Sequence, residues 1–122
     1  METVSIKVPA SPAYIQVVRL VAAGLASRLR FTLDEIEDLK IAVDELCAYL
    51  TGSQGREGDL RIEFTIDGDR IEITGVGHLA PGQKVRTDLT ELSQMILSTV
   101  TDSASLAQPD GSPAFSLVKT RK

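Results

Sequence analysis

Tryptophan is absent from this 122-residue sequence, aromatic residues make up 4% of it, and cysteine and histidine occur once each. A lone cysteine, Cys47, has no partner for an internal disulfide. A lone histidine, His78, with no cysteine beside it is not a metal-ligand set, so no metal site is expected from these residue types. No apolar run approaches the roughly 20 residues that a membrane span requires. The opening METVSIKVPA has neither the charged front nor the apolar stretch of a secretory signal, so the expected location is the cytoplasm. A basic excess is missing too: 13 Lys and Arg against 17 Asp and Glu leave a formal charge of -4. That balance favours solubility and argues against nucleic acid as the main partner.

What remains is ordinary globular material, 43% hydrophobic and 25% charged, of a length that suits a single domain over residues 1–122 with a core that needs no covalent support. The organising stretch is Thr32 to Leu50. Thr32 with Glu35 three positions later is a capping box, and Ile36, Leu39, Val43, Leu46 and Leu50 follow at helical spacing, so a helix starts here and buries one stripe. Glu45 lies beside that stripe, one turn from Ile41 and from Tyr49, at the rim of a core. Cys47 falls on the stripe itself and reads as a small buried hydrophobe.

Ahead of this helix, Val4, Ile6 and Val8 alternate with polar residues as in a half-buried strand. Ser11 and Pro12 then open a first helix that runs to about Arg30 on Ile15, Val18, Val21 or Ala22, Leu25 and Leu29. Behind it the period changes to two. Leu60, Ile62, Phe64 and Ile66 form one face of a strand, Asp67-Gly68 turns the chain, and Arg70 to Ile73 returns as its antiparallel neighbour. Gly75, Gly77, Pro81 and Gly82 mark a loop to about Arg86, which places His78 in a solvated loop. Thr87 or Asp88 caps a third helix to Val100, and two strands, Ala104 to Gln108 and Ala114 to Lys119, close the chain around a Pro109-Asp110-Gly111-Ser112 turn. The order predicts an α+β two-layer sandwich, a mostly antiparallel mixed sheet with three helices on one face.

That order resembles the GHKL (Bergerat) ATP-binding domain, the histidine kinase-like ATPase fold, and more closely the anti-sigma factor serine kinases of the RsbW type. The second helix of that family carries a pattern like A-V-x-E-A-x-x-N, and the present sequence reads Ala42-Val43-Asp44-Glu45-Leu46-Cys47-Ala48-Tyr49. Softer likenesses are Arg19 in the first helix, Glu37-Asp38-Leu39-Lys40 before the motif, Asp102 after the third helix and Lys119 in the last strand.

The resemblance implies a role for each motif position. Glu45 matches the glutamate that polarises the attacking hydroxyl in catalysis. Tyr49 stands where the family has an asparagine that binds Mg²⁺, and a phenol is a poor ligand for that hard cation. Gly75-Val76-Gly77 replaces the D-x-G of the adenine site; losing one charge-assisted hydrogen bond of about 1.5–3 kcal/mol weakens adenine recognition roughly ten- to a hundredfold. With the third helix aligned through Asp102, Glu91 and Ser93 occupy the phosphate-facing glycine positions, where a carboxylate repels phosphate.

The expectation is therefore a transcription-regulating, partner-switching protein that binds a sigma factor, an antagonist of the STAS type, or both, with ATP and Mg²⁺ not required. Homodimerisation and partner binding through the first helix, with Tyr14 and Arg19 as contacts, are implied by the resemblance alone. The alternative is an active Mg-ATP-dependent serine/threonine kinase that phosphorylates its antagonist, with Glu45 as base. Beside the catalytic reading of Glu45 stands a plainer one, a helix carboxylate paired with a neighbouring cation.

Overall fold

The computed structural model describes residues 1–122 as five strands and three α-helices. They run β1 (Glu2–Pro9), α1 (Ile15–Arg28), α2 (Leu33–Thr51), β2 (Gly58–Asp67), β3 (Arg70–Leu79), α3 (Glu91–Val100), β4 (Ser103–Ala107) and β5 (Ala114–Thr120), with short 3₁₀ turns at Pro12–Tyr14 and Pro109–Gly111. The sheet order is β1-β2-β3-β5-β4. Every adjacent pair is antiparallel, so no mixed pairing occurs, and the architecture is the expected α+β two-layer sandwich.

Register decides which side chains meet the helices. Ile6 lies opposite Ile62, Phe64 opposite Ile73, and Ile73 opposite Leu117, so these residues share one face of the sheet. Ile62, Phe64, Ile73 and Leu117 are fully buried there. The other face carries Arg61, Glu63, Thr65, Glu72 and Thr74. Such alternation leaves one layer of helices to cover one apolar face.

Helix α2 lies at the centre of that layer, in contact with α1 on one flank, α3 on the other and β5 beneath. Its capping box is complete: the Thr32 hydroxyl accepts from the Glu35 amide at 3.1 Å, and the Glu35 carboxylate accepts from the Thr32 amide at 2.8 Å. Leu39, Val43, Leu46, Cys47 and Leu50 are fully buried. Val18, Ala22 and Ala26 bring α1 close, because small residues let two backbones approach. Lys119, 5% exposed, donates to the Val100 carbonyl at 2.9 Å and lies 3.8 Å from Asp38, tying the end of α3 to β5 and the start of α2. A cation at a helix C-terminus is favourably placed against the orphan carbonyls.

Three expectations shift. Strand β3 continues through Gly75, Gly77 and His78 to Leu79 where a loop was expected, and exposed His78 pairs in register with Asp59. The Asp67-Gly68 reversal stands where it was expected, with Asp67 opposite Arg70 and Gly68 at the left-handed φ of 66° that so tight a turn needs. Helix α3 starts at Glu91 with Thr90 as its cap, since Leu89 packs against the core and the Arg86 guanidinium holds the Asp88 carbonyl. Ser11 makes no side-chain cap, and a 3₁₀ turn precedes α1.

Candidate functional site

Glu45 and Tyr49 stand one turn apart on the flank of α2 that faces α3. Opposite them is the first turn of α3, where Thr90 caps the helix by accepting from the Ser93 amide at 3.0 Å. Ser93, 4% exposed, is the hub. Its hydroxyl oxygen lies 2.6 Å from Glu45 Oε2, 2.8 Å from the Tyr49 phenol oxygen and 3.0 Å from Thr90 Oγ1.

Counting protons orders this cluster. An ionised carboxylate only accepts, so Ser93 spends its single proton on Glu45 and must accept from its other neighbours. Tyr49 therefore donates to Ser93, and the phenol oxygen takes the Thr90 backbone N–H at 3.0 Å. Burial works to raise the Tyr49 pKa, but hydrogen bonding, including the Thr90 N–H that the phenol oxygen accepts, outweighs it and holds the phenol below its ordinary value. The result is a closed polar clasp between α2 and α3, directed at one carboxylate.

The clasp joins positions that the family resemblance assigns to nucleotide chemistry: Glu45 at the base position, Tyr49 at the metal-ligand position and Ser93 at a phosphate-facing one. Glu45 is thus paired with a hydroxyl, in place of the cation that the plainer reading expected. Gly75 and Gly77, the adenine-site positions, sit on the helix-facing side of β3 and are buried. A methyl group at Gly75 would lie 2.6 Å from Phe115 Cζ and 3.0 Å from Ile62 Cδ1, so the space beside it belongs to core side chains. Gly77 donates its backbone N–H to the Pro113 carbonyl at 2.8 Å. These residues do not fit a magnesium nucleotide: the acceptor for adenine is missing, and a neutral phenol already bonded to serine and threonine is no hard-cation ligand. No group of three His, Cys, Asp or Glu side chains stands close enough to hold a metal ion.

The remaining candidates lie elsewhere. Arg19 on α1 reaches across to Asp44 on α2, Nε to Oδ1 at 3.2 Å, with both side chains partly exposed. Burial raises the Asp44 pKa, against the pull of Arg19 and Lys40 and with a small push from Glu45. Tyr14, 43% exposed, ends the 3₁₀ turn ahead of α1. Glu91 is exposed, and the Asp102 carboxylate accepts from the Thr120 amide at 3.0 Å. Burial, reinforced by nearby Asp44, pushes the Cys47 thiol up to about 12, which keeps it an inert hydrophobe. Sequence reasoning had no place for Thr90. Its spacing to Ser93 is a usable cap signal, but the bond to Tyr49, 41 residues away, has no local signature.

No protein-family model matches the chain. Among curated proteins it is similar to the serine-protein kinase RsbW of Bacillus subtilis, 42% identical over 73 residues, which cover 57% of this chain and 46% of the relative. Proteins of the same name from Bacillus pumilus and Bacillus cereus are 38% identical over 78 residues and 39% over 74. The matched segments span about half the length of these relatives. No helix is long and apolar enough to cross a membrane.

Proposed function

We propose, from its similarity to RsbW serine-protein kinases, that the chain works by binding other proteins rather than by transferring phosphate. The partners in this reading are a sigma factor, a STAS-type antagonist, or both, met on α1 near Tyr14 and Arg19, by a homodimeric protein. The single observation that supports it is the clasp: Glu45, Tyr49 and Ser93 satisfy one another's hydrogen bonds at positions where a kinase of this type needs groups free for metal, phosphate and an attacking hydroxyl. A serine and a phenol already hydrogen-bonded within the protein must give up those bonds before either can serve a ligand.

One feature favours the alternative, an active Mg-ATP-dependent serine kinase: Glu45 keeps the carboxylate of a general base and holds a hydroxyl at 2.6 Å, the distance at which a base takes a proton. Two assays divide the readings. Purified protein mixed with a candidate sigma subunit or STAS protein is expected to co-elute on gel filtration with no nucleotide present, and to leave the antagonist unphosphorylated when ATP and Mg²⁺ are added. Phosphate transfer that Glu45→Gln abolishes, in a variant that still folds and binds, establishes the kinase instead.

A further inference from the structure

Helix α3 carries two apolar stripes where burial in this fold requires one. Ser93, Leu97 and Val100 face inward, whereas Leu92 and Met95 are each 66% exposed. Across from them on α2 stands Ile41, 44% exposed. With Ile96, Thr99 and Val100 these residues line a shallow, open cleft of about 390 Å³ in which five of six lining residues are hydrophobic. Large apolar side chains grouped like this on a soluble surface mark an interaction site rather than scatter.

The ground around the cleft is acidic. Asp34, Glu37 and Asp38 lie within two turns of Ile41 on the same side of α2, and Glu91 stands next to Leu92 at the start of α3. Asp34, Glu37 and Glu91 are exposed. Lys40 pairs with Glu37 at 3.2 Å and Lys119 lies 3.8 Å from Asp38, which leaves Asp34 and Glu91 as the rim carboxylates without a cation, and α3 has no cation at all. An apolar slot edged by carboxylates is complementary to an apolar stripe edged by cations.

We propose that the cleft between α2 and α3 docks an amphipathic helix of a partner protein, whose Leu, Ile or Met side chains seat against Ile41, Leu92 and Met95 while flanking Lys or Arg side chains meet Asp34 and Glu91. The acidic edge repels an anionic lipid surface. A second copy of the chain has no suitable helix to offer: the cations of α1 are Arg19, tied to Asp44, and Arg28 in its last turn. Helix α1, with Tyr14 before it and Arg19 on it, packs on the opposite flank of α2, so this surface is separate from the α1 contacts and stands without them.

The probe is a labelled synthetic helix of about 18 residues, five turns, with a leucine stripe flanked by lysine and arginine. Its twin carries glutamate at the cationic positions. The basic peptide is expected to bind the full chain with a Kd of about 1–100 μM, read by fluorescence anisotropy, and to shift the amide resonances of Ile41, Leu92 and Met95. Met95→Lys, and separately Glu91→Lys, weaken binding about tenfold or more while the dispersed amide spectrum of the folded chain persists. Equal binding of the acidic twin, resonance shifts confined to other elements, unchanged affinity of both variants, or no binding at about 1 mM peptide overturns the proposal. So does concentration-dependent self-association that Met95→Lys abolishes, which assigns the cleft to a second copy, or adsorption of the chain to phosphatidylserine vesicles through the cleft.

Discussion

Ser93 sits where three hydrogen bonds from two helices converge, so its substitution tests the clasp at the finest scale. Ser93→Ala leaves the half-buried Glu45 carboxylate without its donor and is expected to cost about 1–3 kcal/mol in chemical denaturation. Tyr49→Phe removes one donor and one acceptor and costs about 0.5–1.5 kcal/mol. Because both residues belong to one network, the double variant should lose less than the sum of the singles, with a coupling of about 0.5 kcal/mol or more. Strict additivity would mean that the two side chains act independently. Glu35 gives a second test at this scale. Backbone N–H groups of Thr32 and then of Lys122 hold its carboxylate below the ordinary value of 4.5, against a smaller cost of burial. A depressed folded-state pKa means stability that is present above the unfolded value and lost as pH falls through the folded one. The stability gap between the wild type and Glu35→Ala is therefore expected to be full near about pH 7 and to shrink below about pH 4.5. A gap that widens in acid contradicts the assignment.

At the scale of elements, period and punctuation carried most of the architecture. The capping box at Thr32 and Glu35, the alternation from Leu60 to Ile66 and the Asp67-Gly68 reversal are local patterns, and each sits where the structure has a helix start, a strand and a turn. Gly75 and Gly77 misled because glycine has two uses: it breaks elements, and it makes room. Which use applies depends on Phe115 and Pro113, some forty residues along the chain, and no local rule reaches them. Gly75→Ala accordingly measures the element-level claim. Its methyl has no space beside Phe115 and Ile62, and the expected cost is about 1–3 kcal/mol of overpacking in thermal or chemical denaturation. An unchanged or stabilised variant returns Gly75 to the status of a loop residue. The clasp was half legible for the same reason. Glu45 and Tyr49 are one turn apart on one helix, so their neighbourhood follows from sequence; Thr90 and Ser93 reach them only through the tertiary docking of α3 on α2.

For the molecule as a whole, the frame and the polar groups tell different histories. Five antiparallel strands and three helices are consistent with a GHKL-like sandwich, and the similarity to RsbW proteins, at 38–42% identity, covers more than half of the chain. Within that frame, Glu45, Tyr49 and Ser93, at positions that the family resemblance assigns to the nucleotide, bond to one another. What faces outward instead is Tyr14 and Arg19 on one flank of the helix layer and the acid-edged cleft of Ile41, Leu92 and Met95 on the other. In the proposed reading, both are surfaces for protein rather than for a small phosphorylated ligand. Isothermal titration calorimetry of the purified chain with ATP, with and without Mg²⁺, tests this account most directly. The account predicts no saturable heat up to about 1 mM nucleotide in either condition, whereas a magnesium-dependent Kd of about 1–100 μM would contradict it.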